Sequence, residues 1–181
     1  MPKALSGAVA RPTVILSAAL GALVWLALAS VAAAAETYVH ATVDQRGHLR
    51  IVTTDHRAIV SKKDLGQVGF AMAAIAPDRR TVGWLALYPS CCTSYPIPLQ
   101  LVLYASGKRR TFTGNGLPVW RWCFAAGGTQ VAFKQETVHG GGGVHDELRE
   151  VATERFIAAY NPNPDVPGDP PRWVADVDVQ R

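Results

Sequence analysis

The stretch that decides the fold is IAPDRRTVGW, residues 75–84. An apolar run ends here in a Pro-Asp turn and a second, alternating run leaves it, a pattern typical of two antiparallel strands joined by a tight turn. About 49 residues later the pattern recurs as FAAGGTQVAF, residues 124–133, which places Trp84 on Phe133 without a gap. Repetition at this period predicts a repeat architecture, commonly sheets of four short strands.

The repeat divides the chain. It predicts an all-β domain of antiparallel sheets over residues 36–160. We expect a partial unit over residues 36–67, a first four-stranded unit over 68–116 and a second over 117–160. A proline-rich tail follows over residues 161–181.

Alternation, β-branched residues and turn signals place the individual strands. In the partial unit, Val39, Ala41 and Val43 alternate onto one face. The predicted strands are residues 38–44, 49–54, 58–60, 68–75, 81–88, 99–104, 109–112, 117–125, 129–134, 145–151 and 155–160. The loop over residues 89–98 carries proline at both ends, which predicts that this segment stays out of the ladder.

Residues 146–160 also contain many helix formers, so one amphipathic helix is the alternative to two strands there. The repeat favours strands, because Leu148 falls on Leu101 when the two units are aligned. The tail cannot form a central strand because it is rich in proline. Trp173 and Val174 could still dock it against an apolar face.

Residues 1–35 have the pattern of a secretory signal peptide. Lys3 and Arg11 form a basic region, residues 13–31 are apolar or small, and an Ala-Ala-Ala segment before Glu36 offers a cleavage site. The pattern predicts a secreted or periplasmic protein. The alternative is a membrane anchor formed by residues 13–31, because about 18–20 apolar residues span a bilayer.

Removal of this leader would leave about 146 residues, enough for one domain with a substantial core. The formal charge would fall from +4 to about +2, because both basic residues of the leader leave with it. The remaining cationic cluster, residues 108–110, lies where a hairpin turn is expected. The charge distribution therefore argues against nucleic-acid binding.

All three cysteines lie beyond the leader, and an odd number in an oxidising compartment leaves one free thiol or an intermolecular bridge. Cys91 or Cys92 could pair with Cys123, or the two adjacent residues could form a strained vicinal bridge. The third reading is that all three are buried, small apolar side chains.

The glycine-rich loop over residues 135–144 holds candidate metal ligands. Glu136, His139, His145 and Asp146 could together meet one Zn²⁺ or Cu²⁺. The spacing fixes no ligand geometry, and four consecutive glycines make ordering of the loop costly. A mobile hairpin loop without metal is the favoured reading, and no cofactor is expected.

The segments IAPDRRTVGW and LVLYASGKRR, residues 75–84 and 101–110, resemble the WD-like, TolB-type β-propeller repeat. The likeness covers residues 68–160, with Arg79 where that family usually has glycine. The resemblance implies propeller-blade-like sheets that serve protein contacts rather than catalysis. The matched positions are structural, so no functional residue is carried over.

Closed propellers use about four to eight blades, whereas this chain offers two units and a fragment. Three arrangements remain open: a stack of sheets with the tail covering one face, which is favoured, a homo-oligomer that completes a ring, or docking onto another protein.

We therefore expect an exported, non-catalytic binding or scaffold module whose partner is a protein. It would present its two long loops, and the candidate binding residues are Cys91, Cys92, Tyr95, His139 and His145. Hydrolase, zinc-protease, phosphate-loop and dinucleotide motifs are missing from the sequence, which disfavours an enzyme. The alternative is a small metal- or thiol-dependent enzyme, or a metal-binding protein, that uses the same loops.

Overall fold

The computed structural model describes residues 36–140, 143–163, 165 and 168–179. The predicted leader, including the alternative anchor, lies outside the described residues. Within the described part, no helix is long and apolar enough to cross a membrane. The described residues form eleven strands in three antiparallel sheets, which confirms an all-β fold, and one helix follows them.

Each sheet is a meander of consecutive strands, because short turns join neighbours in sequence. The first sheet contains β1 (Tyr38–Val43), β2 (Leu49–Thr53) and β3 (Ala58–Val60). The middle sheet contains β4 (Gly69–Ile75), β5 (Val82–Tyr88), β6 (Ile97–Ala105) and β7 (Lys108–Phe112). The last sheet contains β8 (Val119–Ala125), β9 (Gln130–Glu136), β10 (Val144–Glu150) and β11 (Phe156–Tyr160). Residues 146–160 thus form strands, as the repeat predicted.

Two apolar cores join the three sheets. Between the first and middle sheets the buried residues are Tyr38, Leu49, Ile51, Phe70, Val82, Trp84, Ala86 and Val102. Between the middle and last sheets they are Leu85, Leu101, Leu103, Phe112, Val119, Trp122, Val131, Phe133 and Val151. The strand β5 supplies both cores, which explains its nearly continuous apolar sequence.

The tail forms the helix α1 (Arg172–Val179), which the sequence did not predict. The helix begins directly after Pro171, a residue type suited to a helix start because its missing N–H has no partner there. Val174 and Val177 are buried against the outer face of the last sheet, and Trp173 packs beside them. Docking of the tail through Trp173 and Val174 is therefore confirmed.

Two local predictions are wrong, and a β-bulge accounts for each. The register shifts between Tyr38 and His40, so Tyr38 is buried while Val39 is exposed and does not share a face with Ala41. A second shift between Ala86 and Leu87 admits Pro98 into β6, where it lies opposite Leu87. A bulge tolerates proline because the ladder is already interrupted there.

Candidate functional site

The loop between β5 and β6, residues 89–96, carries three of the predicted binding residues. Cys91, Cys92 and Tyr95 are all exposed. Hydrogen bonds within the loop hold its shape: the Cys92 N–H donates to Ser90 Oγ at 3.2 Å, and the Thr93 hydroxyl donates to the Tyr95 carbonyl at 2.5 Å.

A small cleft of about 240 Å³ opens in this loop. Val68, at the start of the middle sheet, forms one wall, and Pro89, Pro96 and Tyr95 form others. Val68 is 41% exposed and Tyr95 is 50% exposed. The hydroxyl side chains of Ser90, Thr93 and Ser94 complete the lining, so the cleft is a shallow depression with both apolar and polar groups.

The three cysteines are free thiols in the structure. The Sγ atoms of Cys91 and Cys92 lie 3.0 Å apart, and this contact raises the pKa of the Cys92 thiol. Cys123 lies beneath α1, where burial raises its thiol pKa to about 11. A raised pKa lowers the thiolate fraction, so neither Cys92 nor Cys123 has the environment of an activated nucleophile.

The loop between β9 and β10 is shorter than expected, because β9 extends to Glu136. Gln135 is fully buried, and its side-chain amide donates to the carbonyls of Thr113 and Leu117. A turn over residues 137–140 follows, in which the Gly140 N–H donates to the Thr137 carbonyl at 3.2 Å. His139 is exposed on this turn.

His145 belongs to a different cluster at the edge of the last sheet. Its Nδ1 lies 2.7 Å from Asn161 Oδ1, and its Nε2 lies 2.9 Å from the buried carboxylate of Glu147. The other oxygen of Glu147 accepts a hydrogen bond of 2.7 Å from Arg149. Both ring nitrogens of His145 are occupied, so a metal ion could bind only by displacing one of these partners.

Asp146 faces away from His145, because neighbouring residues of a strand point to opposite faces. Its carboxylate is fully buried beside α1, and neither oxygen has a hydrogen-bond partner among the described residues. Burial raises the pKa of Asp146 to about 6. The four residues of the predicted metal set are therefore not assembled, and no group of three or more potential ligands occurs in the described part of the chain.

A further cleft, which the sequence did not reveal, lies between the middle and last sheets at their turn ends. Its volume is about 360 Å³, and its polar lining includes Asp78, Arg110 and Glu150. Gly128, from the turn that replaces Pro-Asp in the second unit, packs against Ala76 and Asp78 across the sheets. The repeat alignment already paired these two turns, which is the signal that could have placed them at one end.

This geometry also positions the two long loops. Because the short turns of the middle and last sheets meet around this cleft, the loops 89–96 and 137–143 leave the opposite ends of their strands.

Comparison with known proteins adds no assignment. No family model matches the chain, and no curated protein is significantly similar to it.

Proposed function

We propose that this protein is an exported, non-catalytic binding module that contacts another protein through the loop over residues 89–96. The observation that carries the proposal is the exposed rim of the cleft in this loop, where Tyr95 and Val68 present apolar surface to solvent. Tyrosine is enriched at protein interfaces, because it combines a large apolar ring with a hydroxyl that can hydrogen-bond.

The framework beneath the loop suits this role. β5 and β6 lie at the centre of the middle sheet and contribute to the cores on both of its faces. Such strands provide a rigid base, so a loop between them can offer a fixed surface at a small cost in conformational entropy.

The strand order of the sheets supports a propeller-like scaffold. The middle and last sheets are each four consecutive antiparallel strands, the strand order of a propeller blade. We infer that the sheets serve as stacked blades and that a protein partner, or a second copy of the chain, binds at their loop end.

A thiol-dependent enzyme is less well supported. The contact between Cys91 and Cys92 raises the pKa of Cys92, whereas catalytic cysteines have a lowered pKa.

The proposal is tested by photo-crosslinking in the cells that produce the protein. Tyr95 is replaced by p-benzoylphenylalanine, and the exported protein is irradiated and analysed by denaturing electrophoresis and mass spectrometry. The matched control carries the same residue at Phe156, which is also 50% exposed but lies on β11. We expect one discrete protein adduct from the Tyr95 position and none from Phe156.

Two outcomes would refute the proposal: no adduct at Tyr95, or equal adducts at both positions. An adduct of twice the chain mass would identify the partner as a second copy. A supporting adduct is followed by a binding measurement with Tyr95→Ala, which should weaken affinity about tenfold or more if Tyr95 is an anchor residue.

A further inference from the structure

A third cleft, independent of the loop surface, lies between the first and middle sheets. Its volume is about 220 Å³. It opens where the edge strands β3 and β7 approach each other, and it reaches inward to β2 and β5. No candidate residue from the sequence analysis lines it.

The inner wall of this cleft is apolar. Ile51 and Trp84 are each 1% exposed and form its floor, whereas Ile59 and Val60 of β3 form its outer side. Val60 is 68% exposed. Covering an exposed apolar side chain removes its surface from water, which is favourable. An apolar ligand would therefore gain binding free energy by packing against this outer side.

Trp84 contributes a second unusual feature. Its indole Nε1 is buried and has no hydrogen-bond acceptor among the described residues. The two other tryptophans of the neighbouring core and strand are satisfied: Trp122 Nε1 donates to the Met72 carbonyl at 3.1 Å, and Trp120 Nε1 donates to the Glu136 carbonyl at 3.0 Å. Buried indole N–H groups normally have an acceptor, so the Trp84 N–H is an exception in this core.

The polar side chains that line the cleft are Ser61, Lys62, Tyr104 and Arg109. The guanidinium of Arg109 lies 5.8 Å from the centre of the Trp84 ring and is paired with both carboxylate oxygens of Asp64, at 2.8 and 2.9 Å. Lys62 also lines the cleft, and it has no ion-pair or hydrogen-bond partner in the described part of the chain. Of the two lining cations, Lys62 is the one whose charge is not neutralised.

We propose that this cleft binds a small organic monocarboxylate with an apolar body, the carboxylate at Lys62 and the body against Val60, Ile59 and Trp84. Its volume is below the roughly 300–1,000 Å³ of drug-sized pockets, so the body is about one aromatic ring or a short branched chain. The unpaired cation selects an acid over a neutral analogue.

The test titrates the exported protein with phenylacetate and with its neutral analogue phenylacetamide, followed by the tryptophan indole N–H resonances. Trp84→Phe identifies the Trp84 resonance. We expect a saturable shift of this resonance with phenylacetate, about fivefold weaker binding of phenylacetamide, and little shift of the bonded Trp120 and Trp122 resonances. High salt should weaken phenylacetate binding, because the Lys62 charge is exposed.

Two lysine variants isolate the charge. Lys62→Gln should weaken phenylacetate binding about two- to fivefold, whereas Lys108→Gln, an exposed cation on β7 outside the cleft, should leave it unchanged. Both side chains are at the surface, so both variants should fold. The proposal is overturned if the Trp84 resonance does not shift, if the Trp84, Trp120 and Trp122 resonances shift alike, or if the two variants behave identically. A negative result would not bear on the proposed binding surface at Tyr95, because the two sites share no residue.

Discussion

The middle and last sheets are built from aligned sequence but have different neighbours. Trp84 in the middle sheet and Phe133 in the last are equivalent, and each faces the sheet that precedes it. The next aligned pair diverges. Leu85 faces a following sheet, whereas Lys134 faces α1 and forms an ion pair with Asp178.

The difference shows that the element packed on a face of a sheet determines which side chains that face carries. A sheet covers one face of the middle sheet with large apolar groups such as Trp122 and Phe133. The two-turn helix α1 covers the last sheet instead, over the small buried residues Cys123 and Ala132. A short helix buries less apolar area than a sheet, so charged groups persist beside it.

The largest expected effect tests what the two sheets share, which is the packing of equivalent residues against the preceding sheet. Trp84→Ala and Phe133→Ala should each lower the free energy of unfolding by about 3–5 kcal/mol, because each leaves a cavity in a core between two sheets. Urea denaturation measures both. Phe156→Ala, which removes a half-exposed ring from β11, is the control and should cost clearly less. A denaturation midpoint unchanged by Trp84→Ala would show that the repeat register is wrong.

The next largest effect on stability is expected where the two sheets differ. Asp146 aligns with Leu99 of the middle sheet and is buried without a hydrogen-bond partner in the described residues. Burial raises its pKa from 3.8 to about 6, so the folded state binds the proton more tightly than the unfolded state does. The native protein therefore loses stability as the pH rises from 3.8 to about 6, and this contribution stays constant above that range.

Asp146→Asn removes this titration. We expect the variant to be more stable than the native protein at pH 8, by up to about 3 kcal/mol, with the gain vanishing near pH 4. Urea midpoints at the two pH values measure it. Asp44→Asn is the opposite control, because the His48 N–H lowers the pKa of Asp44, so that replacement should destabilise at pH 8. An equal gain at both pH values would contradict the assignment.

A smaller effect on stability is expected at Gly83, a position where the two sheets differ. Gly83 faces the last sheet, where an added Cβ would overlap the Trp122 ring and lie 2.7 Å from Leu103 Cδ2. The equivalent Ala132 carries its methyl group beneath α1. Gly83→Ala should cost about 1–3 kcal/mol through overpacking. Combined with Trp122→Leu it should cost less than the sum of the two single changes, and strict additivity would rule out the contact.

The smallest effect on stability concerns the loops. Under reducing conditions, replacing Cys91 and Cys92 by serine should change the free energy of unfolding by less than about 0.5 kcal/mol, because both are exposed. Mild oxidation should link Cys91 to Cys92 and spare the buried Cys123. Adjacent Cα atoms are about 3.8 Å apart, closer than disulfides prefer, so the bridge should be reduced easily. Peptide mapping decides this, and a peptide linked to Cys123 would contradict it.

The sequence located every strand to within two residues of its observed ends, because alternation and turn residues act over a few neighbours. It misjudged Val39 and Pro98, where a bulge changes the register. A bulge depends on the partner strand, which local pattern does not contain. The loop residues of the candidate site were predicted from the sequence, but the cleft beside Tyr95 also needs Val68, which directly precedes β4.

The sequence by itself determined the strands, their pairing within each unit and the equivalence of Trp84 and Phe133, because these follow from side-chain period and from repetition. Only the tertiary structure decided what covers each sheet. It placed α1 over the last sheet, turned Asp146 away from His145, and brought Trp84 and Lys62 into the lining of one cleft. These outcomes depend on residues far apart in the chain, and their contacts arise only when the sheets pack.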